Sequence, residues 1–246
     1  MSSMRSLRGA WHFLTIFIFC YFNGGNSWVQ GKCLNDQRAL LLKLNESLHY
    51  MNVGSTEKFS SKRSSWNLNT DCCSSWDGIE CDLAGHVISL DLTNESLWNI
   101  DDYNNLFNLQ YLESLNLAHN FIHTQIPSGF QKLSNMRYLN LSNSGFSKQI
   151  PVEISQMIKL VTLDLSGNGN LILRDPDLET LIRNLTGVTE LLLDGVKISE
   201  HGNKWCRTLS SSLPKLQVLS LSGCGLSGPL DSSLSKLQSL RKLLKL

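Results

Sequence analysis

The sequence has almost no net charge: 22 lysines and arginines stand against 21 aspartates and glutamates, a formal +1 over 246 residues. It has no basic stripe and no block of like charge. That removes the electrostatic footprint of a nucleic-acid binder and leaves a mixed, solvated surface. Beyond the first 31 residues it has no apolar run of the roughly 18 residues a membrane helix needs, so no membrane span is expected in this chain. It lacks a phosphate-cradling P-loop, a Gly-x-Ser-x-Gly elbow and a His-Glu-x-x-His helix. Serines are plentiful, but no base is placed beside one, so neither an enzyme nor a cofactor is expected. The paired Cys-x2-Cys or His-x3-His spacings of structural zinc are also missing. His119 and His123 have helical metal-ligand spacing, yet they bracket Asn120 at the exit of a strand, so no metal is expected there.

The chain does contain seven cysteines. Arg5 and Arg8 precede the apolar run Trp11 to Phe22, and Gly24, Gly25, Asn26 and Ser27 follow. This is the order of a secretory signal, with cleavage expected between Gly25 and Gly31. Cys20 would leave with residues 1–31. Six cysteines remain: Cys33, Cys72, Cys73, Cys81, Cys206 and Cys224. An even set behind a secretory signal points to disulfides and an oxidising compartment, and leaves about 15 possible pairings open.

A repeat dominates the rest. The pattern L-x-x-L-x-L-x-x-N-x-L returns with the leucine pairs Leu90/Leu92, Leu115/Leu117, Leu139/Leu141, Leu163/Leu165, Leu191/Leu193 and Leu219/Leu221. The first leucines of successive pairs are 25, 24, 24, 28 and 28 residues apart. The spacing predicts a leucine-rich-repeat solenoid over residues 86–246: a right-handed coil, α/β in class, with short parallel strands on its concave face and an irregular or short-helical convex side. Side chains alternate along a strand, so each leucine pair should point inward and the residue between it outward. Asn at the ninth position should satisfy backbone groups inside the coil. Only Asn120 and Asn168 keep it; Glu95, Ser144, Val196 and Cys224 replace it, which predicts an incomplete internal ladder.

Residues 32–85 precede the repeats. Asn35 or Asp36 can cap a helix carrying Leu40, Leu41, Leu44 and Leu48 at helical spacing. The polar stretch Asn52 to Ser65 reads as loop. Trp66, Cys72, Cys73, Trp76 and Cys81 supply material for a disulfide-bonded lid over the first coil, an N-terminal cap. Ile126-Pro127 and Ile150-Pro151, with a looser Gly228-Pro229-Leu230, mark turns leaving the strand, because proline fixes its own φ and cannot donate to a ladder. Asp175-Pro176 reads as a helix N-cap followed by proline, ahead of Leu178, Leu181, Ile182 and Leu185. Trp205, Leu209 and Leu213 suggest a second convex helix.

Several local motifs now stand together: Asp36-Gln37 before the leucine-rich helix, Trp66, Asp71-Cys72-Cys73, Trp76-Asp77-Gly78, Cys81, Gly85-His86-Val87, the two Ile-Pro repeats, and Lys204-Trp205-Cys206 with Ser222-Gly223-Cys224. In this the chain resembles the N-terminal part of the ectodomain of plant leucine-rich-repeat receptor-like proteins, the Verticillium-wilt-resistance type. The resemblance implies a cell-surface receptor with a large repeat ectodomain, one transmembrane helix and a short tail without a kinase. It implies perception of microbial or self-derived ligands in defence, through a partner receptor kinase. It also implies the pairs Cys33–Cys72, Cys73–Cys81 and Cys206–Cys224. The chain departs from that pattern after six strands: Lys245 stands where an inward leucine belongs, and Leu234, Leu237 and Leu240 should be exposed. The expectation is therefore a fragment of such a receptor; a secreted inhibitor resembling polygalacturonase-inhibiting proteins and a non-functional truncated remnant are the alternatives.

The expected role is recognition of a protein, peptide or glycan ligand, secreted or at the cell surface. The outward strand positions are the binding candidates: Asn116, His119, Tyr138, Asn143, Thr162, Asp164, Glu190, Asp194 and Ser220. The sequons at Asn45, Asn94, Asn140 and Asn184 are candidate glycan sites. Asn140 lies between Leu139 and Leu141, where a sugar would obstruct the binding face.

Overall fold

The computed structural model describes residues 31–50, 61–198 and 204–244. The secretory signal, most of the 52–65 stretch and Lys245 lie outside the described residues. In chain order the elements are α1 (Asn35–Ser47), β1 (Leu48–Tyr50), α2 (Cys72–Ser75), β2 (Ile79–Cys81), β3 (Val87–Asp91), β4 (Leu97–Ile100), α3 (Asn104–Phe107), β5 (Ser114–Asn116), β6 (Tyr138–Asn140), β7 (Ser147–Gln149), β8 (Thr162–Asp164), β9 (Asn170–Leu173), α4 (Leu178–Ile182), β10 (Glu190–Leu192), β11 (Lys197–Ile198), α5 (Lys204–Ser212), β12 (Val218–Ser220) and β13 (Lys242–Leu244).

The repeat leucines lay down one eight-stranded sheet, in the order β13-β12-β10-β8-β6-β5-β3-β2. Seven of its strands run parallel, one per coil, and β2 pairs antiparallel with β3 at the N-terminal edge. Register follows the leucines: Leu90, Leu115, Leu139, Leu163, Leu191, Leu219 and Leu243 are mutually aligned. The first six are all but fully buried, as are their partners at Leu92 to Leu221. The seventh strand corrects the expectation of six. Its Leu243 is 45% exposed, whereas Leu237 is buried and Leu234 and Leu240 pack partly against the core. The leucines expected to lie bare therefore fold back onto the coil before them.

A second parallel sheet, β7-β9-β11, runs along the side of the coil, and β1 pairs antiparallel with β4 near the cap. On the far side Pro127 and Pro151 each sit just before a single 3-10 turn, Ser128–Lys132 and Val152–Gln156, that buries Phe130 and Ile154 respectively. The third such turn, Ser232–Lys236, is headed by Asp231 instead, whose side chain accepts from Ser233 N at 2.9 Å. Gly228-Pro229 is thus out of step with the other two prolines, and Leu230 is exposed where Ile126 and Ile150 are buried.

Helix starts also differ from expectation. Helix α1 begins after Leu34 with no side-chain cap, so neither Asn35 nor Asp36 caps it, and Leu48 belongs to β1. Helix α4 is capped by Asp177, not Asp175, because the Asp177 carboxylate reaches Thr180 N at 2.9 Å. Helix α5 buries Trp205 and Leu209.

The cap is a layered lid. Trp66 and Trp76 stack with ring centroids 5.5 Å apart, and their indole N–H groups donate to Asp77 O and Thr70 Oγ1. Cys33–Cys72 and Cys73–Cys81 are disulfide-bonded. Cys206 and Cys224 are not: both are free and buried. The reason is geometric. Cys224 Sγ points into the coil and donates to Leu193 O at 3.1 Å, while Cys206 Sγ, on α5, accepts from Asp231 N at 3.5 Å.

The internal ladder is fuller than residue identities suggest. Asn120 Oδ1 accepts from Glu95 N and Leu97 N, and its Nδ2 donates to Leu92 O and Leu117 O. Asn168 repeats this with Ser144 N, Phe146 N, Leu141 O and Leu165 O. Ser144 Oγ donates to Leu117 O at 2.6 Å, and Cys224 reaches the matching carbonyl of its own neighbourhood. Glu95 turns to the cap and accepts from Ser61 Oγ and from Lys62 N at 3.0 Å. Only Val196 supplies no polar atom.

Candidate ligand-binding surface

Two outward columns cross the concave sheet. The first runs Ser89, Ser114, Tyr138, Thr162, Glu190, Val218 and Lys242, and the second Asp91, Asn116, Asn140, Asp164, Leu192 and Ser220. Parallel strands bring column neighbours to roughly 4.8 Å, close enough for one ligand to touch several.

The first column holds the accessible aromatic. Tyr138 is 44% exposed, between Ser114 and Thr162. Thr162 Oγ1 and Glu190 Oε2 lie 3.4 Å apart, with the hydroxyl donating. The second column does something the sequence reading missed. Asp91, Asn116, Asn140 and Asp164 each turn Oδ1 onto the backbone N–H two residues on: Thr93, Ala118, Ser142 and Ser166. These are Asx turns that steer the chain out of each strand. At the fifth coil Leu192 interrupts the column, and Asp194 takes over. Its Oδ1 accepts from Ser222 N at 2.7 Å and from Ser220 Oγ at 2.6 Å, across to the next coil.

This sorts the candidates. His119, Tyr138 and Asn143 are exposed; Asn116, Thr162, Asp164, Glu190 and Asp194 are half-buried. Ser220 is buried, which corrects its expected place on the open face: Asp194 leans over it. His119, Asn143 and Asp194 lie past the ends of β5, β6 and β10 rather than on the strands as expected, and His119 and Asn143 sit in left-handed backbone at φ 57° and 51°. The Asn143 side chain lies over Gly167, where an added Cβ would come within 2.0 Å of Oδ1. Burial is the main influence on Asp164 and pushes its carboxyl up from the ordinary value; the Ser166 bonds oppose this, and the Asp194 charge adds to it. His123 packs over Gly145, and neither it nor His119 joins a metal-binding cluster among the described residues. The one such cluster, Cys33, Cys72 and Cys73, is used up in disulfides.

A rim array was also missed. His86 Nδ1 contacts Asp82 Oδ2 at 2.8 Å, and the imidazole stacks on Tyr111 with centroids 3.7 Å apart. Asn135 and Lys159 continue the column, joined at 2.7 Å from Nζ to Oδ1. Each stands four residues before an inward leucine, so the repeat period itself was the signal.

Asn140 has its Oδ1 held by Ser142 N at 2.9 Å and is flanked by Asn116 and Asp164. A glycan on Nδ2 would have to rise between side chains a strand spacing away. Glycopeptide mapping of secreted protein should therefore find sugar at the exposed Asn94 and Asn184 and none at Asn140. Full occupancy of Asn140 would show that the concave column is not packed in this way.

Comparison with known proteins fits this geometry. The profile described as "Leucine rich repeat N-terminal domain" matches residues 34–82, and two leucine-rich-repeat profiles match residues 110–169 and 215–237. Receptor-like protein 9DC1 of Solanum pimpinellifolium is 34% identical over 244 residues, covering 94% of this chain and 27% of that protein. Receptor-like protein 6 of Arabidopsis thaliana is 34% identical over 196 residues, covering 74% of this chain and 19% of that one. The chain thus spans about a fifth to a quarter of the length of these curated relatives. Among solved structures, the Arabidopsis receptor kinase HAESA, in complex with the peptide hormone IDA and the co-receptor SERK1, aligns with a TM-score of 0.61 at 28% identity, over 84% of this chain and 37% of that one.

Proposed function

Since the chain belongs to the leucine-rich-repeat proteins, of the plant receptor-like kind, we propose that it is an extracellular ligand-recognition module of a defence receptor, binding through its concave strands. The observation that carries this is the continuous parallel sheet, whose outward column sets an exposed Tyr138 among hydroxyls and the Glu190 carboxylate. Recognition surfaces favour an aromatic anchor ringed by polar groups, and a solenoid presents such groups along a line. An extended peptide matches that line. HAESA, of similar fold, is seen with a peptide hormone and a co-receptor; the corresponding partners here are a peptide and a receptor kinase. Two disulfides in the cap suit work outside the cell or on its surface.

The test is a binding screen. Immobilised secreted protein is exposed to a panel of extracellular plant and microbial peptides, with binding read by surface plasmon resonance. For the peptide that binds, the double variant Tyr138→Ala, Glu190→Lys should bind at least about tenfold more weakly, roughly 1.4 kcal/mol, with an unchanged thermal midpoint. Equal affinity for the variant would move recognition off the concave sheet and overturn the proposal.

A further inference from the structure

Sulfurs from two different disulfides crowd the centre of the cap. Cys72 and Cys73 are consecutive, yet each belongs to its own bond. Their Sγ atoms lie 4.0 Å apart, and those of Cys33, Cys72 and Cys73 all fall within 4.8 Å of one another. One carboxylate draws Cys33 and Cys73 together: Asp71 Oδ2 accepts from Cys33 N at 3.0 Å, and Oδ1 from Cys73 N at 2.9 Å. One carboxylate thus holds both backbones, and the Cys73 Sγ lies within 4.8 Å of the Cys33 Sγ it would attack. A Cys72–Cys73 bond is disfavoured, because both residues lie in helix α2, where neighbouring Cβ atoms point apart.

We propose that Cys33 has two alternative partners, Cys72 and Cys73, and that the cap is a redox-sensitive latch which exchanges them. A dithiol reductant opens Cys73–Cys81, the bond that ends on Cys81 in the edge strand β2. The reductant is oxidised to its own disulfide, and Cys73 and Cys81 become thiols. The Cys73 thiol then loses its proton to solvent and its thiolate attacks Cys33 Sγ. The Cys33–Cys73 bond forms, Cys33–Cys72 breaks, and Cys72 leaves as a thiolate that takes up a proton. No net electrons move in this second step, which is ordinary thiol–disulfide exchange. Cys33 stays tethered to α2 throughout. What changes is β2, which is then held at the N-terminal edge of the concave sheet by its pairing to β3 without the covalent tie to α2. The latch loosens the rim of the sheet while leaving the cap attached.

The test uses the secreted full chain. It is treated with limiting dithiothreitol, quenched with N-ethylmaleimide and mapped by mass spectrometry with fragmentation between Cys72 and Cys73. Molecules with one bond reduced should include the Cys33–Cys73 form, alkylated at Cys72 and Cys81, within about tenfold of the form that keeps Cys33–Cys72. A second route is Cys81→Ser, which begins at the exchange step and should show the same isomer with no reductant added. Finding only Cys33–Cys72 with Cys73 and Cys81 alkylated, or a Cys72–Cys73 bond instead, overturns the proposal. The wild-type reading decides by itself if the variant is secreted poorly.

Discussion

Asn120→Ala should lower the stability of the chain by about 4 kcal/mol. The side chain is buried and serves both directions at once: Oδ1 accepts from Glu95 N and Leu97 N, and Nδ2 donates to Leu92 O and Leu117 O. Alanine fills none of these roles. Two buried N–H groups would lose their acceptor, each at a cost of about 1–3 kcal/mol, and a cavity would remain beside Leu97. Ser144→Ala at the equivalent position of the next coil removes one hydroxyl, whose main bond is to Leu117 O. It should cost about 1–2 kcal/mol. Urea unfolding followed by circular dichroism would measure both. If Asn120→Ala shifted stability by less than Ser144→Ala, the ladder would not be what joins successive coils.

Removing the Cys33–Cys72 disulfide should cost more than removing Cys73–Cys81. The first closes a separation of 39 residues and the second one of 8. Loop-closure entropy then assigns about 4 kcal/mol to the long loop and about 2.5 kcal/mol to the short one. The paired changes Cys33→Ala with Cys72→Ala, and Cys73→Ala with Cys81→Ala, leave no unpaired thiol in the cap and so exclude exchange. Both should lower secreted yield, with the thermal midpoint falling further for the first pair. The opposite order would mean that local packing around α2 and β2, not chain closure, sets the stability of the cap.

The two effects act at different points in one structure. A solenoid has no single centre, so its strength is the sum of neighbour-to-neighbour contacts. Asn120 ties the first coil to the second, and the disulfides tie the cap to itself. Glu95 joins these systems. It occupies the ladder position of the first coil but accepts from Ser61 Oγ and Lys62 N in the cap, while Lys62 Nζ reaches Asp91 Oδ1 at 2.9 Å. The cap segment is therefore anchored to the first repeat by a carboxylate that looks, in the sequence, like a defect.

Much of the candidate surface was legible in the repeat. Tyr138, Thr162 and Glu190 follow from strand alternation once the leucine pairs are aligned. The burial of Ser220 did not follow, because it depends on Asp194 reaching across from the neighbouring coil. The Asx turns of Asp91, Asn116, Asn140 and Asp164 were missed for a different reason. An amide or carboxylate at an outward position can serve a ligand or its own chain, and only the backbone after the strand shows which. The resemblance implies that Cys206 and Cys224 pair, but one thiol faces the coil interior and the other a 3-10 turn.

Periodic burial alone determined the solenoid, the inward leucines and the parallel sheet, since the hydrophobic effect needs only the spacing of apolar residues and is indifferent to which groups they meet. Tertiary structure alone decided where the other polar atoms are spent: Glu95 on the cap, Ser144 on Leu117 O, Asp194 on Ser220. Hydrogen bonds are directional and span about 3 Å, so their partners are settled by how coils of unequal length stack, which no single repeat records.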